Sequence, residues 1–220
     1  MAVLECRSSP LAAARLAFLY LSAKETVINA GFDDEIDWQE QVNIDKLNES
    51  TFLSESAWVI ISTGFREEIA RRKFGAITKA FLNWYSAKLI LDHRASCRRD
   101  ALATFANVPK IDGILGIAEE VVALGFEEVH LQVLCRGTDF LQELPFIGPV
   151  TACHLGKNLG LPTAKADRHL VRMASKAGYA TPQDMCATIS GVVGDPIAVV
   201  DIVLWRYATL AKMKPGIAVF

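Results

Sequence analysis

The chain lacks any long uninterrupted apolar run. Hydrophobic residues make up 51% of its 220 positions and mean hydropathy is +0.25. Yet the most apolar stretches, 57–61 and 197–205, are short or carry Asp201, well under the ~20 apolar residues that a membrane-spanning helix requires. The opening Met-Ala-Val-Leu-Glu-Cys-Arg has no basic flank followed by an apolar core and a small-residue cleavage site, so a secretory signal is not expected and the default compartment is the cytoplasm. Cysteine is sparse and unpatterned. Cys6, Cys97, Cys135, Cys153 and Cys186 are odd in number, scattered and without a CxxC pair. That argues against a disulfide framework, a zinc site or a four-cysteine iron–sulfur cluster, and points to reduced thiols in or near the core. His93, His130, His154 and His169 show no HxxxH or HxH spacing, so no metal site is expected from them. An excess of positive charge is missing too: the net charge is -2 and the pI about 6.1. This excludes a protein that coats nucleic acid indiscriminately and confines any such contact to a local patch.

Charge is segregated along the chain. Asp33, Asp34, Glu35, Asp37, Glu40 and Asp45 crowd an early stretch, whereas Arg66, Arg71, Arg72, Lys73 and Lys79, then Arg94, Arg98 and Arg99, cluster later. Each cluster on its own is also what a solvated helix face looks like. Helix punctuation recurs throughout: Ser, Thr or Asp at starts, proline at first helical positions and glycine just past the ends. Helical periodicity predicts helices over 11–29, 55–62, 67–85, 93–105, 110–124, 127–136, 138–144, 149–157 and 168–177, with further starts at Thr181-Pro182 and Asp195-Pro196. Strand signals are sparse, and there is no internal repeat, low-complexity tract or long linker. The expected fold class is all-α, in two helical lobes with a cleft between them: a central lobe over 50–135, and a second built from 1–49 and 136–220.

The informative segment runs Leu141-Gln-Glu-Leu-Pro-Phe-Ile-Gly-Pro-Val-Thr-Ala-Cys-His-Leu. A short helix meets Leu-Pro, a glycine-containing turn and a proline-opened helix. Such a hairpin aims the free N–H groups of its second helix outward, where with the helix dipole they suit a phosphate. An ordinary corner between two core helices has the same spacing. Downstream, Leu161-Pro-Thr-Ala-Lys-Ala-Asp-Arg-His-Leu-Val-Arg puts Asp167 at the start of an apolar-faced helix, where plain capping is the alternative to chemistry.

Taken together, Leu-Pro-x-Ile-Gly-x-x-Thr-Ala followed by x-Asp-x-His-x-x-Arg resembles the helix-hairpin-helix DNA glycosylase superfamily. Glu55-Ser-Ala-Trp-Val-Ile-Ile-Ser-Thr-Gly-Phe-Arg-Glu-Glu-Ile-Ala-Arg resembles, more weakly, that family's early helix and the loop that pushes into DNA. The likeness covers 55–172, and the 195–210 helix stands where the family closes its active-site lobe. It implies a helix-hairpin-helix glycosylase fold with Asp167 as the catalytic carboxylate. It also implies backbone contacts to DNA from Gly148, Val150 and Thr151, with Phe65 and Arg66 entering the duplex when a nucleotide is extruded. His169 and Arg172 would face phosphate or support the aspartate. Trp205 and Trp58 would stack on the base, and Asp201 would accept from a base amino group or else pair internally. The chemistry suits a carboxylate. Breaking an N-glycosidic bond builds positive charge on the sugar and needs a water on the other face, and Asp167 can stabilise the one and deprotonate the other.

Three departures refine the expectation. Val150 stands where lyase-type members carry a lysine, so a monofunctional hydrolase is expected; Lys165 could substitute for that amine or simply face phosphate. Phe146 stands where the family usually has its first hairpin glycine, and it is expected to fold onto the core. The four-cysteine cluster of some members is missing, so no iron–sulfur cofactor is implied. The resemblance does imply a monovalent cation held by carbonyls around Leu144, Ile147 and Val150. The expected partner is double-stranded DNA with a damaged or modified base, bound by a monomer away from any membrane. Two other readings predict different behaviour: a noncatalytic helix-hairpin-helix DNA-binding module, with salt-sensitive binding but no base release, and a helical adaptor with no DNA affinity.

Overall fold

A computed structural model describes residues 10–213, so Cys6 lies outside the described residues. The described residues form α-helices and short 3-10 turns, with no strand among them. In chain order the α-helices are α1 (Pro10–Asn29), α2 (Asp33–Gln41), α3 (Glu49–Ser62), α4 (Glu67–Ala80), α5 (Ala87–Asp92), α6 (Arg94–Thr104) and α7 (Val108–Leu124). They continue with α8 (Phe126–Arg136), α9 (Thr138–Leu141), α10 (Pro149–Leu159), α11 (Arg168–Lys176), α12 (Pro182–Val193) and α13 (Ile197–Met213). The all-α class is thus as the periodicity predicts. No single helix among the described residues is long and apolar enough to cross a membrane.

The stops are where the glycines are. Gly125 (φ 82°) and Gly137 (φ 54°) end α7 and α8 in backbone conformations that L side chains disfavour. Thr181 caps as the sequence suggests, accepting from Asp184 N, and two asparagines not singled out in the sequence do the same, Asn48 accepting from Thr51 N and Asn107 from Lys110 N. Several elements differ from expectation: α3 starts at Glu49 and not at 55, and α5 is not among the expected helices. The acidic stretch is helical, because Asp33, Asp34 and Glu35 lie in the first turn of α2, where anions favour the dipole, while Ile36 and Gln39 are buried. The helix expected over 67–85 instead ends at Ala80, and Leu82, Asn83 and Trp84 follow at φ 54°, 54° and 60°. Packing holds that turn: the Trp84 ring stacks on Phe81 at 5.0 Å and its Nε1 donates to Thr78 Oγ1 at 3.1 Å.

The chain divides into two units, one from residues 1–42 and 160–220 and the other from Asn43–Leu159. The first has its core where α1, α12 and α13 meet, around Tyr20, Val27, Leu170, Met173, Ile189, Val199 and Val203. The second packs α3 to α10 around Phe52, Ile60, Ile61, Ile77, Ile111, Leu115, Leu141 and Leu155. These boundaries differ from the lobes read in the sequence. The hairpin at 144–151 belongs with the central helices, because α10 lies on α3 and α9.

Of the described cysteines, Cys97 and Cys186 are buried thiols, Cys153 is intermediate and Cys135 is exposed. Cys135 therefore departs from the expected core position. It lies on α8, which buries Val129 and Val133.

Candidate functional site

In the unit containing α11, the site is built around Asp167. The residue itself is extended (φ -83°, ψ 169°), and its Oδ1 accepts from His169 N at 2.8 Å and Leu170 N at 3.0 Å, capping α11. Only one carboxylate oxygen is used this way. Among the described residues Oδ2 has no hydrogen-bond partner, and the side chain is neither buried nor fully exposed.

The loop that delivers Asp167 is held at several points. Two tight i to i+2 bonds fold it, Thr163 N to Leu161 O and Asp167 N to Lys165 O, each 2.8 Å. Gln183, at the start of α12, donates Nε2 to Pro162 O at 3.0 Å and accepts from Ala164 N at 2.8 Å. Asp201, on α13 and 1% exposed, accepts from Lys165 N at 2.7 Å. A backbone without helix or sheet must satisfy its polar groups somewhere, and here side chains from α12 and α13 do it. The loop is fixed before any ligand arrives.

The structure places three of the candidate residues. Asp201 is buried and holds the Lys165 amide, the internal pairing that is the alternative to a base contact. His169 is 8% exposed, at odds with the phosphate-facing role but not with supporting the aspartate. Trp205 is half-buried on α13 with the Arg206 guanidinium 4.8 Å from its ring. Arg206 is committed in turn to Glu35, donating through Nε at 2.9 Å and Nη2 at 2.5 Å. Arg172, by contrast, is exposed on α11 without an ion-pair partner among the described residues. Lys165 contributes its backbone to the loop, and its side chain is half-buried.

In the other unit the hairpin is well defined. Ile147 N donates to Leu144 O at 3.1 Å to close the turn, and Ala152 N to Gly148 O at 2.8 Å opens α10. Leu144 and Ile147 are buried anchors, while Gly148, Pro149 and Val150 are exposed. A Cβ built on Gly148 would meet nothing within 4 Å, so the turn is open at that residue. Because Pro149 has no N–H, the open donors of the first turn are those of Val150 and Thr151. Thr151 as a residue is 8% exposed.

Phe146 takes φ 66°, the conformation for which a glycine would be the easy choice. Its Cβ would lie 2.7 Å from a Cβ on Gly113, and Pro145 would lie 3.0 Å from a Cβ on Gly116, so the turn beds onto two glycines of α7. The ring is nonetheless 43% exposed, a partial correction to the expected burial. Of the carbonyls that the resemblance implies for a monovalent cation, Leu144 O accepts from Ile147 N, and Val150 lies in the first turn of α10.

The turn between α3 and α4 presents Phe65, 42% exposed, and the exposed Arg66. Phe65 meets Phe105 edge-on at 5.2 Å, and Lys110 Nζ stands 4.7 Å from its ring. Lys110 is 5% exposed and has no carboxylate partner among the described residues; it donates to Ile61 O at 3.0 Å and Thr63 O at 2.5 Å, tying off the end of α3. Burial pushes its pKa down to about 8. Trp58 packs against Phe74 at 5.2 Å and Arg71 at 5.4 Å, which commits most of its ring to α4. Most of the basic cluster is likewise spoken for: Arg98 pairs bidentately with Asp112, Arg94 with Glu119, Arg71 with Glu67 and Arg99 with Asp100.

Sequence reasoning missed Gln183, Gly113 and Lys110, as well as the pairing of Glu55 with Asn158. Asn158 Nδ2 donates to Glu55 Oε2 at 2.8 Å, and burial pushes that carboxyl's pKa up despite the bond. No family model and no curated protein matches the chain.

Proposed function

We propose that the chain is a monofunctional DNA N-glycosylase of the helix-hairpin-helix type, which releases a damaged or modified base from double-stranded DNA by hydrolysis. The observation that carries the reading is the division of labour within Asp167. One oxygen is fixed by two backbone N–H groups, which set the orientation of the carboxylate, while the other is left for a reacting group. The loop that delivers it is held by Gln183 and Asp201, which keeps the carboxylate in a set position.

In the proposed reaction the bond from the base nitrogen to the sugar C1′ breaks, and its electron pair leaves with the base. The Asp167 carboxylate stabilises the positive charge left on the sugar. It then takes a proton from water as the water oxygen bonds to C1′; the departing base nitrogen takes up one proton from solvent and Asp167 later gives its own back to solvent, leaving an abasic sugar and the neutral free base. The amides of Val150 and Thr151 at the open end of α10 supply a phosphate contact that reads no sequence. Phe65 and Arg66, exposed on their turn, are suited to fill the gap left by an extruded nucleotide. With Val150 at the position of the lyase lysine, cleavage of the sugar–phosphate chain is not part of the proposal.

The cap bonds of Asp167 also support a second reading, a noncatalytic DNA-binding module. Incubation with a panel of lesion-bearing and modified duplexes separates the two. The first reading predicts alkali-labile abasic sites from the natural chain and none from Asp167→Asn; the second predicts binding without base release in both.

A further inference from the structure

Helix α1 has two unlike faces. Leu16, Ala17, Tyr20, Ala23 and Val27 are buried in the core it shares with α12 and α13. The helix is further fastened by Asp195, which accepts from Tyr20 Oη at 2.5 Å and Lys24 Nζ at 2.7 Å. On the opposite face Leu11, Ala14, Phe18, Leu21, Glu25 and Ile28 are all exposed. Their spacing alternates three and four residues, the interval at which one helix presents a continuous seam to another. Leu11 is 71% exposed and Phe18 69%, so nothing among the described residues covers this face. A shallow depression lined by Ala14, Arg15, Phe18 and Leu19 interrupts it.

We propose that this seam is a self-association surface, on which α1 of a second copy of this chain packs antiparallel. Charge decides both the occupant and the direction. In a parallel, in-register pair Glu25 would face Glu25, and like charges so placed repel, while Arg15 would stand a turn or more from either glutamate. Turned antiparallel about the middle of the helix, Leu11 meets Ile28, Phe18 meets Leu21, and Ala14 meets Glu25. The small alanine leaves room for the glutamate stem, and Arg15 comes beside Glu25 of the second copy, twice by symmetry. Neither Arg15 nor Glu25 has an ion-pair partner among the described residues. The face therefore carries the two halves of a contact that one copy does not complete.

Exposed apolar surface along the seam is on the order of 500 Å² per copy, at the upper end of what a monomer ordinarily leaves in water. Two copies together bury on the order of 1,000 Å², the lower limit for a specific interface, so the dimer is weak and reversible. The monomer expected from the sequence is then the dilute form. This inference does not depend on the glycosylase reading, and its test needs no DNA.

Sedimentation velocity on the full chain between about 1 and 300 µM is the experiment, and a weak interface predicts a midpoint on the order of 10–100 µM. The natural chain should move from monomer to dimer across that range. Phe18→Glu should stay monomeric, and Leu11→Ser, a milder change at the far end of the seam, should weaken association several-fold. Both should keep the natural melting temperature, since the sites are exposed. Arg15→Glu should weaken association, and adding Glu25→Arg to it should restore association to within about twofold of the natural chain. A monomer at every concentration overturns the proposal, as does a dimer that Phe18→Glu leaves unchanged. Failure of the double charge exchange to restore association overturns the antiparallel arrangement.

Discussion

The Cβ of Phe146 stands 2.7 Å from the place a Cβ on Gly113 would occupy, and Phe146 holds φ 66° while it does so. A bulky residue in left-handed backbone costs about 1–2 kcal/mol, so the hairpin keeps its shape through packing on α7, not through local preference. Gly113→Ala should push Phe146 away and destabilise the chain by about 1–3 kcal/mol. Adding Phe146→Gly should recover part of that loss, because it removes both the clash and the strain. Urea unfolding of the two single variants and the double variant measures the coupling; strict additivity would contradict the contact.

Asp167→Asn is expected to separate chemistry from folding. Asparagine caps a helix nearly as well as aspartate, so melting should be almost unchanged. Base release should fall by on the order of 10²-fold or more, because the neutral amide neither stabilises a cationic sugar nor accepts a proton from water. Asp167→Ala should lose activity too and, in addition, about 1 kcal/mol of stability.

Asp201 makes a different prediction from Asp167. Asp201→Ala leaves the Lys165 N–H without its acceptor in a buried setting, which costs about 1–3 kcal/mol. Base release should fall, while Asp201→Asn, which keeps an acceptor oxygen, should restore most of it. An unaltered rate in Asp201→Ala, measured well below its melting temperature, would mean the loop does not position Asp167.

Lys110 gives the pH dependence. Its pKa is pushed down to about 8 in the fold from an ordinary 10.5, so between those values the unfolded chain binds more protons than the folded one. Stability contributed at this site therefore rises with pH from about 8 towards 10.5, and the cost of the buried cation is present in full below about 8. Lys110→Met should flatten that rise. The difference between natural and variant stability across pH 7.5–10.5, read from denaturant midpoints, isolates the group from other alkaline effects.

Glu55 runs the other way. Burial holds its pKa above 4.5, so its contribution falls as pH rises from 4.5 through the folded value. Glu55→Gln keeps an oxygen for Asn158 and removes the charge. It should raise the melting temperature by about 2–4 °C at neutral pH, an effect that should shrink in acid.

Much of this organisation is legible in the string of residues because it is local. Gly125 and Gly137 end helices through their own backbone freedom, and Thr181-Pro182 and Asp167 open helices through bonds that reach only three residues. What could not be read depends on distant partners. Gln183 reaches back to Pro162 and Ala164, Asp201 reaches Lys165 from another helix, and Gly113 is small because Phe146 lies over it. Asp201 gave one usable signal, a lone acid on an apolar helix, which points to burial with a partner but not to which partner. The left-handed turn at Leu82 to Trp84 had none, since no glycine marks it.

The two-unit division carries a consequence for synthesis. Residues 43–159 are contiguous, whereas the other unit joins 1–42 to 160–220. As the chain emerges from the ribosome, the contiguous unit can fold while α1 and α2 still wait for α12 and α13. The loop bearing Asp167 is then among the last parts to gain its supports, which makes its assembly a late checkpoint of biogenesis.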